Sequence, residues 1–379
     1  MIKAGIYIHI PFCTIKCIYC DYYSMEQREK DIPRFVEMLI REIELTAQNY
    51  KENWTFDTIL IGGGTPSIME PQWLENILHT LDLSFDISSV TEITMEANPG
   101  EAPRQRLNQF RNLGINRLSI GFQSLQSQLL TSLSRIHSSK DCLTTYHNAR
   151  DAGFDNINVD MLFNIPGQSL EVFRDDLQQI IKLEPEHISV YSLTVEKKTP
   201  LYTKVQDGQI TMPSKDLNLD MYEFCQEYLN SHGYDQYEIS NYARNSMECR
   251  HNLHYWNLEP CLAFGPSAHG YDGHIRWWNS STLDSYLQML EHNQRPISGS
   301  ETLSQTDHFN EAIFNGLRTR EGIQLRKIKL WNADTEKMSP TIQKWKDHLI
   351  VTKDSIFLKS DSYKYADEIA LEMIQTEIK

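Results

Sequence analysis

The sequence predicts an α/β fold: a partial (β/α) barrel of the TIM type over residues 1–290, then a small helical, winged-helix-like domain over residues 291–379. Two observations predict it. Short apolar runs of strand type alternate with longer runs of helical period, and six strands recur at intervals of roughly 25 to 35 residues. Small and polar residues cluster just past those strands, where a parallel sheet collects its ligands. In order the strands are 5–9, 58–61, 92–97, 117–121, 156–161 and 187–190. The first helix, 32–50, sets Phe35, Leu39, Ile43 and Ala47 on one face at i, i+4, i+8 and i+12. Helices 74–81, 104–113, 140–152 and 170–183 follow the same rule. Gly114 and Gly153 each end a helix shortly before a strand, where a left-handed cap is wanted. Past Leu193 the rhythm weakens, and a region rich in Tyr and Trp to about Tyr286 is expected to hold extra strands and a helix over 215–232. Near the C-terminus IVTKDSIFLKS reads as strand, turn at Lys353 and Asp354, strand.

Composition narrows the function. A chain of 379 residues with 40% apolar, 10% aromatic and 23% charged residues is an ordinary folded protein of one large or two smaller domains. Its net charge of −15 repels polyanions, so nucleic acid is disfavoured as the main partner. No run of 18 apolar residues spans a bilayer, and the start MIKAGIYIHIPF lacks a charged region followed by a long apolar one, so a cytoplasmic protein is expected. Seven cysteines, three of them within eight residues, read poorly as a disulfide framework and well as a metal cluster.

Those three, Cys13, Cys17 and Cys20, form a C-x3-C-x2-C loop directly after the first strand. Close thiolates are soft ligands for iron and sulfur, and three of them leave one iron of a four-iron cubane open for chemistry. A zinc knuckle with a distant fourth ligand is the alternative. The second motif is Gly62, Gly63, Gly64, Thr65, Pro66 after the second strand. Glycines let backbone amides approach a ligand, although a glycine run alone also simply turns a chain. Further strand ends carry Glu96 in TMEANPG, Gln123 in SIGFQS, Arg135 in SRIH and Asp160 in NVDML. Taken singly, each reads as a cap or surface residue.

Taken together and in order, YIHIPFC, GGGTP, EANP, GxQS, a following Arg and NxD resemble the radical SAM superfamily, and within it the oxygen-independent coproporphyrinogen III dehydrogenases (HemN-like) and their relatives. The resemblance runs from residue 5 to about 270. It implies a [4Fe-4S] cluster on Cys13, Cys17 and Cys20 whose open iron takes the amino and carboxylate groups of S-adenosylmethionine. It also implies that Tyr7, Tyr19, Gly63, Gly64, Thr65, Glu96, Gln123, Arg135 and Asp160 contact that cofactor. Carboxylates suit its ribose hydroxyls, and amides with Arg suit its carboxylate or adenine edge.

Two departures separate this chain from the dehydrogenases. Tyr22 stands where they carry a further Cys, and the chain starts six residues before Tyr7, without their longer N-terminal arm. Porphyrinogen oxidation is therefore not expected. The other departure is a gain: His251, Asn252, Tyr255 and Trp256 in RHNLHYW make an HNxxYW motif, which with CDYYS is similar to the HemW-type heme chaperones. That branch implies binding of heme and its delivery to hemoproteins of respiration or storage, with His251 the favoured axial ligand and the rings packed on the macrocycle. An aromatic core edge is the other reading of the motif, and His254 or Cys249 could serve as ligand instead. Cys142, Cys225 and Cys261 read as buried apolar thiols. Gly265, Ser267 and His269 in AFGPSAHGY are small or polar enough for a close approach to ligand, and Trp277 and Trp278 read as core. A tRNA-modifying activity is disfavoured by the acidic balance. Peripheral membrane contact and a homodimer stay open.

Overall fold

The computed structural model describes residues 2–50, 52, 54–331 and 335–376. Its centre is six parallel strands in chain order: β1 (Ile2–Ile10), β2 (Trp54–Gly63), β3 (Glu92–Ala97), β4 (Arg117–Gln123), β5 (Ile157–Phe163) and β6 (His187–Ser192). Every expected strand is present. Most run longer than the apolar pattern marked, because their ends carry the polar residues of the site. Beyond β6 the sheet turns antiparallel through β8 (Asn241–Ala243) to β7 (Asp235–Gln236). Beyond β1 lie parallel β9 (Cys261–Phe264), then antiparallel β10 (His269–Tyr271), β11 (Ile275–Asn279) and β12 (Ile297–Thr302), which brings the sheet to 12 strands.

Register divides the sheet into two faces. The pairs Gly5 with Thr58, Thr58 with Glu92, Thr94 with Arg117, Gly121 with Asp160, and Asn158 with His187 all point inward. The intervening residues Ile6, Ile8, Ile59, Ile61, Met95, Leu118, Ile120, Val159 and Ile188 point outward into the main core. The strands are thus apolar toward the helices and polar toward the lumen, an alternation in a sheet whose outer face alone is greasy.

The outer helices follow the sequence closely. Ile32–Tyr50 buries Phe35, Leu39, Ile43 and Ala47 as expected, and Glu42 and Thr46 with them. Pro71–Ser84, Arg104–Asn112, Ser139–Asp151 and Leu170–Ile181 cover the remaining crossovers. Gly114 at φ 95° and Gly153 at φ 85° adopt the left-handed geometry that their positions demanded. Lys215–Ser231 is the helix expected over 215–232. The segment RHNLHYW, expected among extra strands, is instead a helix, Arg250–Trp256. Its aromatic residues disguise the type, but His251 to Tyr255 is an i, i+4 step and the two rings touch.

A second core forms at the C-terminal end from Phe309, Ile313, Leu317, Ile323, Ile356 and Ile369, among others. It holds a small sheet in which β14 (Leu349–Val351) and β15 (Ser355–Leu358) make the expected hairpin and β13 (Ile323–Gln324) pairs with β15. No helix among the described residues is long and apolar enough to cross a membrane.

Candidate functional site

At the C-terminal ends of β1 and β2 two loops are tied to each other. Gly64 donates its amide to the Ile10 carbonyl at 2.7 Å, and Thr65 donates to Phe12 at 2.8 Å. A methyl group on Gly64 would stand 2.6 Å from the Phe12 carbonyl oxygen, so only glycine permits this approach. The cysteine loop is pinned from its other side, where Cys13 donates to the Met25 carbonyl and Met25 to Pro11, at 3.0 and 2.8 Å.

Around the thiols stand polar groups from three other strands. The Thr65 hydroxyl donates to Cys13 Sγ, and Arg135 Nη1 to Cys17 Sγ, each at 3.5 Å. Asn98 links the two donors: its Nδ2 donates to Thr65 Oγ1 at 2.9 Å, and its Oδ1 accepts from Arg135 Nη2 at 2.7 Å. Arg135 also donates to the Gly121 carbonyl at 2.7 Å. Tyr19 is half-buried against a small apolar cluster that includes Leu129, Leu162 and Leu193. Burial raises the Cys13 thiol and pushes Cys20 up to about 11, so both stay protonated until a cation compensates their charge. Among the described residues no three His, Cys, Asp or Glu side chains converge on a single ion. The three thiolate ligands of a cubane sit on separate irons and need not converge on one point. The donor set, three sulfurs with a hydroxyl and a guanidinium at their edge, therefore fits a four-iron cluster.

One layer in, Glu96 and Asp160 face the lumen from β3 and β5. Glu96 Oε2 accepts the Gly63 amide at 3.0 Å, and Asp160 accepts from Ser119 Oγ at 2.9 Å and Asn158 Nδ2 at 2.8 Å. Burial first, and repulsion from Asp160 second, push Glu96 up to about 7. Asp160 is also raised, chiefly by burial. Gln123 ends β4 at φ 66°, a left-handed conformation that a side chain adopts at a cost, and it follows a register shift after Gly121. Tyr7 completes the wall, its hydroxyl 2.9 Å from His9 Nδ1. Thus Tyr7, Glu96, Gln123, Arg135 and Asp160, drawn from five segments, share one end of one lumen with GGGTP and the cysteines.

The HNxxYW residues lie elsewhere, at the opposite end of the strands. His251 is fully buried, with Nδ1 2.9 Å from Thr58 Oγ1 and Nε2 3.3 Å from the Tyr255 hydroxyl. Burial, then repulsion from His254, lower it to about 3, so it is a neutral ring with both nitrogens engaged. Glu92 caps the helix, accepting the amides of Arg250 and His251 at 3.1 Å each. His254 is 2.7 Å from Asp57 and 2.7 Å from Glu259. Burial opposes its charge, but those two carboxylates outweigh burial and raise it to about 9. Asn252 and Trp256 are on the other side of the helix, and Trp256 lines a cleft with Gly316, Gln324 and Lys327 of the C-terminal part. The helical period therefore splits the expected aromatic patch in two.

Other expectations meet mixed results. Cys142, Cys225 and Cys261 are buried thiols, as is Cys249. Trp277 is core, stacked on Tyr50, whereas Trp278 is half-buried against exposed His269. The close approach at Gly265 is to the His9 carbonyl, 2.4 Å from where its Cβ would be, so its smallness serves strand packing. Sequence reasoning missed Asn98, although it lies within the EANP motif. It missed Glu42 too, which sits on the buried face of its helix and accepts from the Gly265 amide, Asn279 and Tyr286 at 2.8, 2.6 and 2.6 Å.

A partial parallel barrel with three cysteines after its first strand defines a radical SAM protein, and residues 7–180 match the Radical SAM superfamily model. The superfamily's resident groups are a [4Fe-4S] cluster and S-adenosylmethionine. The chain is 34% identical over 323 residues to heme chaperone HemW of Bacillus subtilis, covering 85% of each. It is 39% identical over 268 residues to heme chaperone HemW of Buchnera aphidicola, covering 70% of this chain and 69% of that one. The chain belongs to the HemW family. It is also 32% identical over 341 residues to a mitochondrial radical S-adenosyl methionine domain-containing protein 1 of Danio rerio, covering 88% of this chain and 77% of that one. Among solved structures, coproporphyrinogen III oxidase (HemN) of Escherichia coli superposes with TM-score 0.85 at 20% identity, covering 99% of this chain and 91% of that one, a likeness of fold.

Proposed function

We propose that this protein binds heme and delivers it to hemoproteins, on a scaffold that holds a [4Fe-4S] cluster and S-adenosylmethionine. The observation that carries the reading is the pair of segments CDYYS and RHNLHYW in a chain 34% identical to a heme chaperone across 85% of its length. Cys13, Cys17 and Cys20 hold the cluster. When bound, it supplies an electron and an open iron position for the amino and carboxylate groups of S-adenosylmethionine. Arg135, fixed by Asn98 and Gly121, sets a positive charge at the rim, and Glu96 and Asp160 offer acceptors to ribose hydroxyls. Gly63 and Gly64 bring their backbone against the same region. The cysteine loop buries Cys13 and Cys17 and leaves Cys20 partly exposed.

On this reading the acceptors are respiratory or storage hemoproteins in the cytoplasm or at its membrane face, and the part after β12, which is built on the core of Phe309 and Ile313 rather than starting at residue 291, acts as a separate domain beside the motif helix. Tyr255 on the lumen side and Trp256 in the cleft with the C-terminal part are the two rings offered to heme, one on each side of the helix. His251 can ligate iron only once its bond to Thr58 or Tyr255 opens, which makes it an axial ligand of a rearranged state.

The test assays the anaerobically reconstituted protein in parallel for heme binding and for coproporphyrinogen III oxidation with S-adenosylmethionine. Stoichiometric heme uptake, transfer to an apoprotein and no porphyrinogen turnover are expected. Steady multiple turnover to protoporphyrinogen without heme transfer would overturn the chaperone reading.

A further inference from the structure

We propose that the barrel floor carries a carboxylate-binding subsite made by Arg117 and Thr94, beneath the S-adenosylmethionine site. The two residues are register partners on β4 and β3, both directed into the lumen and 2% and 0% exposed. Arg117 Nε and Thr94 Oγ1 are buried with no hydrogen-bond partner. Among the described residues no carboxylate is within ion-pair distance of the guanidinium. An arginine buried in this way is rare in a folded protein, because its lost hydration goes uncompensated.

The nearby acids are committed elsewhere. Glu92 spends both oxygens on the amides of Arg250 and His251, and Asp160 is held by Ser119 and Asn158. Burial opposes the charge of Arg117, but Cys249, Glu92, Tyr237 and Asp160 around it keep its pKa above the usual value. A charged, planar fork beside a free hydroxyl matches the two oxygens of a carboxylate.

The subsite can be reached. Glu96 is one pleat above Thr94 on the same strand face. Tyr191 from β6 and Tyr255 from the motif helix border the same lumen at 38% and 43% exposure, which sets the side from which a ligand displaces the packing over Arg117 and Thr94. Tyrosine rings and a cation bordering one lumen suit an aromatic ligand with a carboxylate arm. That carboxylate has two sources, a porphyrin propionate or a free small acid. The first rests on the heme reading above, and the second does not.

The experiment uses the full-length reconstituted protein. Dissociation constants for hemin and hemin dimethyl ester come from Soret titration, and succinate is titrated calorimetrically. The wild type should bind the free acid about tenfold tighter than the diester, the loss expected for one charge-assisted pair. Arg117→Met should bring that ratio close to one, Arg117→Lys should keep part of it, and Thr94→Val should fall between. Circular dichroism and cluster absorbance verify that each variant folds. If Arg117→Met does not fold, Arg117→Lys and Thr94→Val decide. Succinate binding by wild type and not by the variants, with the hemin ratio unmoved, supports the subsite with a free acid as its ligand. If the wild type binds no hemin at all, the heme reading fails alone and succinate decides the subsite. An equal hemin ratio in wild type and variants, with no succinate binding that depends on Arg117, overturns the proposal.

Discussion

The two ends of the lumen use the same sheet face in opposite ways. At the C-terminal end, side chains from five segments converge on one lumen, where Glu96 and Asp160 accept hydrogen bonds from the sheet and Arg135 is held by Asn98 and Gly121. At the N-terminal end, the helix Arg250–Trp256 closes the lumen, and His251, His254 and Glu92 are each bonded to protein partners. Both ends are polar and buried. The difference teaches that a histidine-rich motif and a gathering of strand-end groups are separate things: the first end draws on five segments, and the second is closed by its own hydrogen bonds.

The largest effect that separates the ends is loss of the cluster. Replacing Cys13, Cys17 and Cys20 together by Ala should remove the broad visible absorption and bring iron from about four per chain to near zero. Iron retained by the triple variant would mean that the open end is not organised by these thiols. Gly64→Ala should act in the same direction, because its methyl group meets the Phe12 carbonyl, and reconstitution yield measures it.

Next in size is cofactor affinity. Asp160→Ala and Glu96→Ala should each weaken S-adenosylmethionine binding about ten- to a hundredfold by calorimetry, the loss of one charged hydrogen-bonding group. His251→Ala should leave that affinity alone and lower unfolding stability by about 1–3 kcal/mol, through the lost bond to Thr58 and the gap it leaves. If His251→Ala costs as much cofactor affinity as Asp160→Ala, the two ends are not independent.

The responses to pH sharpen the comparison last, because the closed end carries two opposed ones and the open end one. At the closed end His254, raised to about 9 from 6.5, contributes stability that is full below about pH 6.5 and is lost as pH rises through about 9. Urea unfolding of the wild type against His254→Phe across that range measures it. His251, lowered to about 3, acts oppositely, destabilising the fold as pH falls below about 6.5. At the open end Glu96, near 7, must ionise to become a full acceptor, so cofactor affinity should rise from about pH 6 to 8. A flat affinity profile over that interval would remove Glu96 from the contact set.

Much of this is legible in the sequence. The alternation of strand and helix, the capping glycines and the residues at strand ends each obey short-range rules, and the hairpin near Asp354 followed from its pattern alone. The helix RHNLHYW was not legible, because its aromatic residues favour strands locally and only packing against Thr58 and Glu92 settles the matter. The floor was hidden for a related reason. Arg117 in NRLSIG looks like a strand's polar edge, and its isolation appears only when Thr94 is placed beside it. Glu42 shows the converse: its position on the buried face could have been counted from the helical period, but not its partners more than 220 residues away.

The place of β1 has a consequence for synthesis. Its two neighbours are β2 and β9, so one edge pairs within about fifty residues, while the other waits for Cys261 to leave the ribosome. At about 5–20 residues per second that is on the order of ten to fifty seconds with an isoleucine-rich strand unpaired on one side. Such an edge invites pairing with another nascent chain. Nascent chains of this protein should therefore be held by holdase chaperones during synthesis and released only after β9 has emerged to close the sheet.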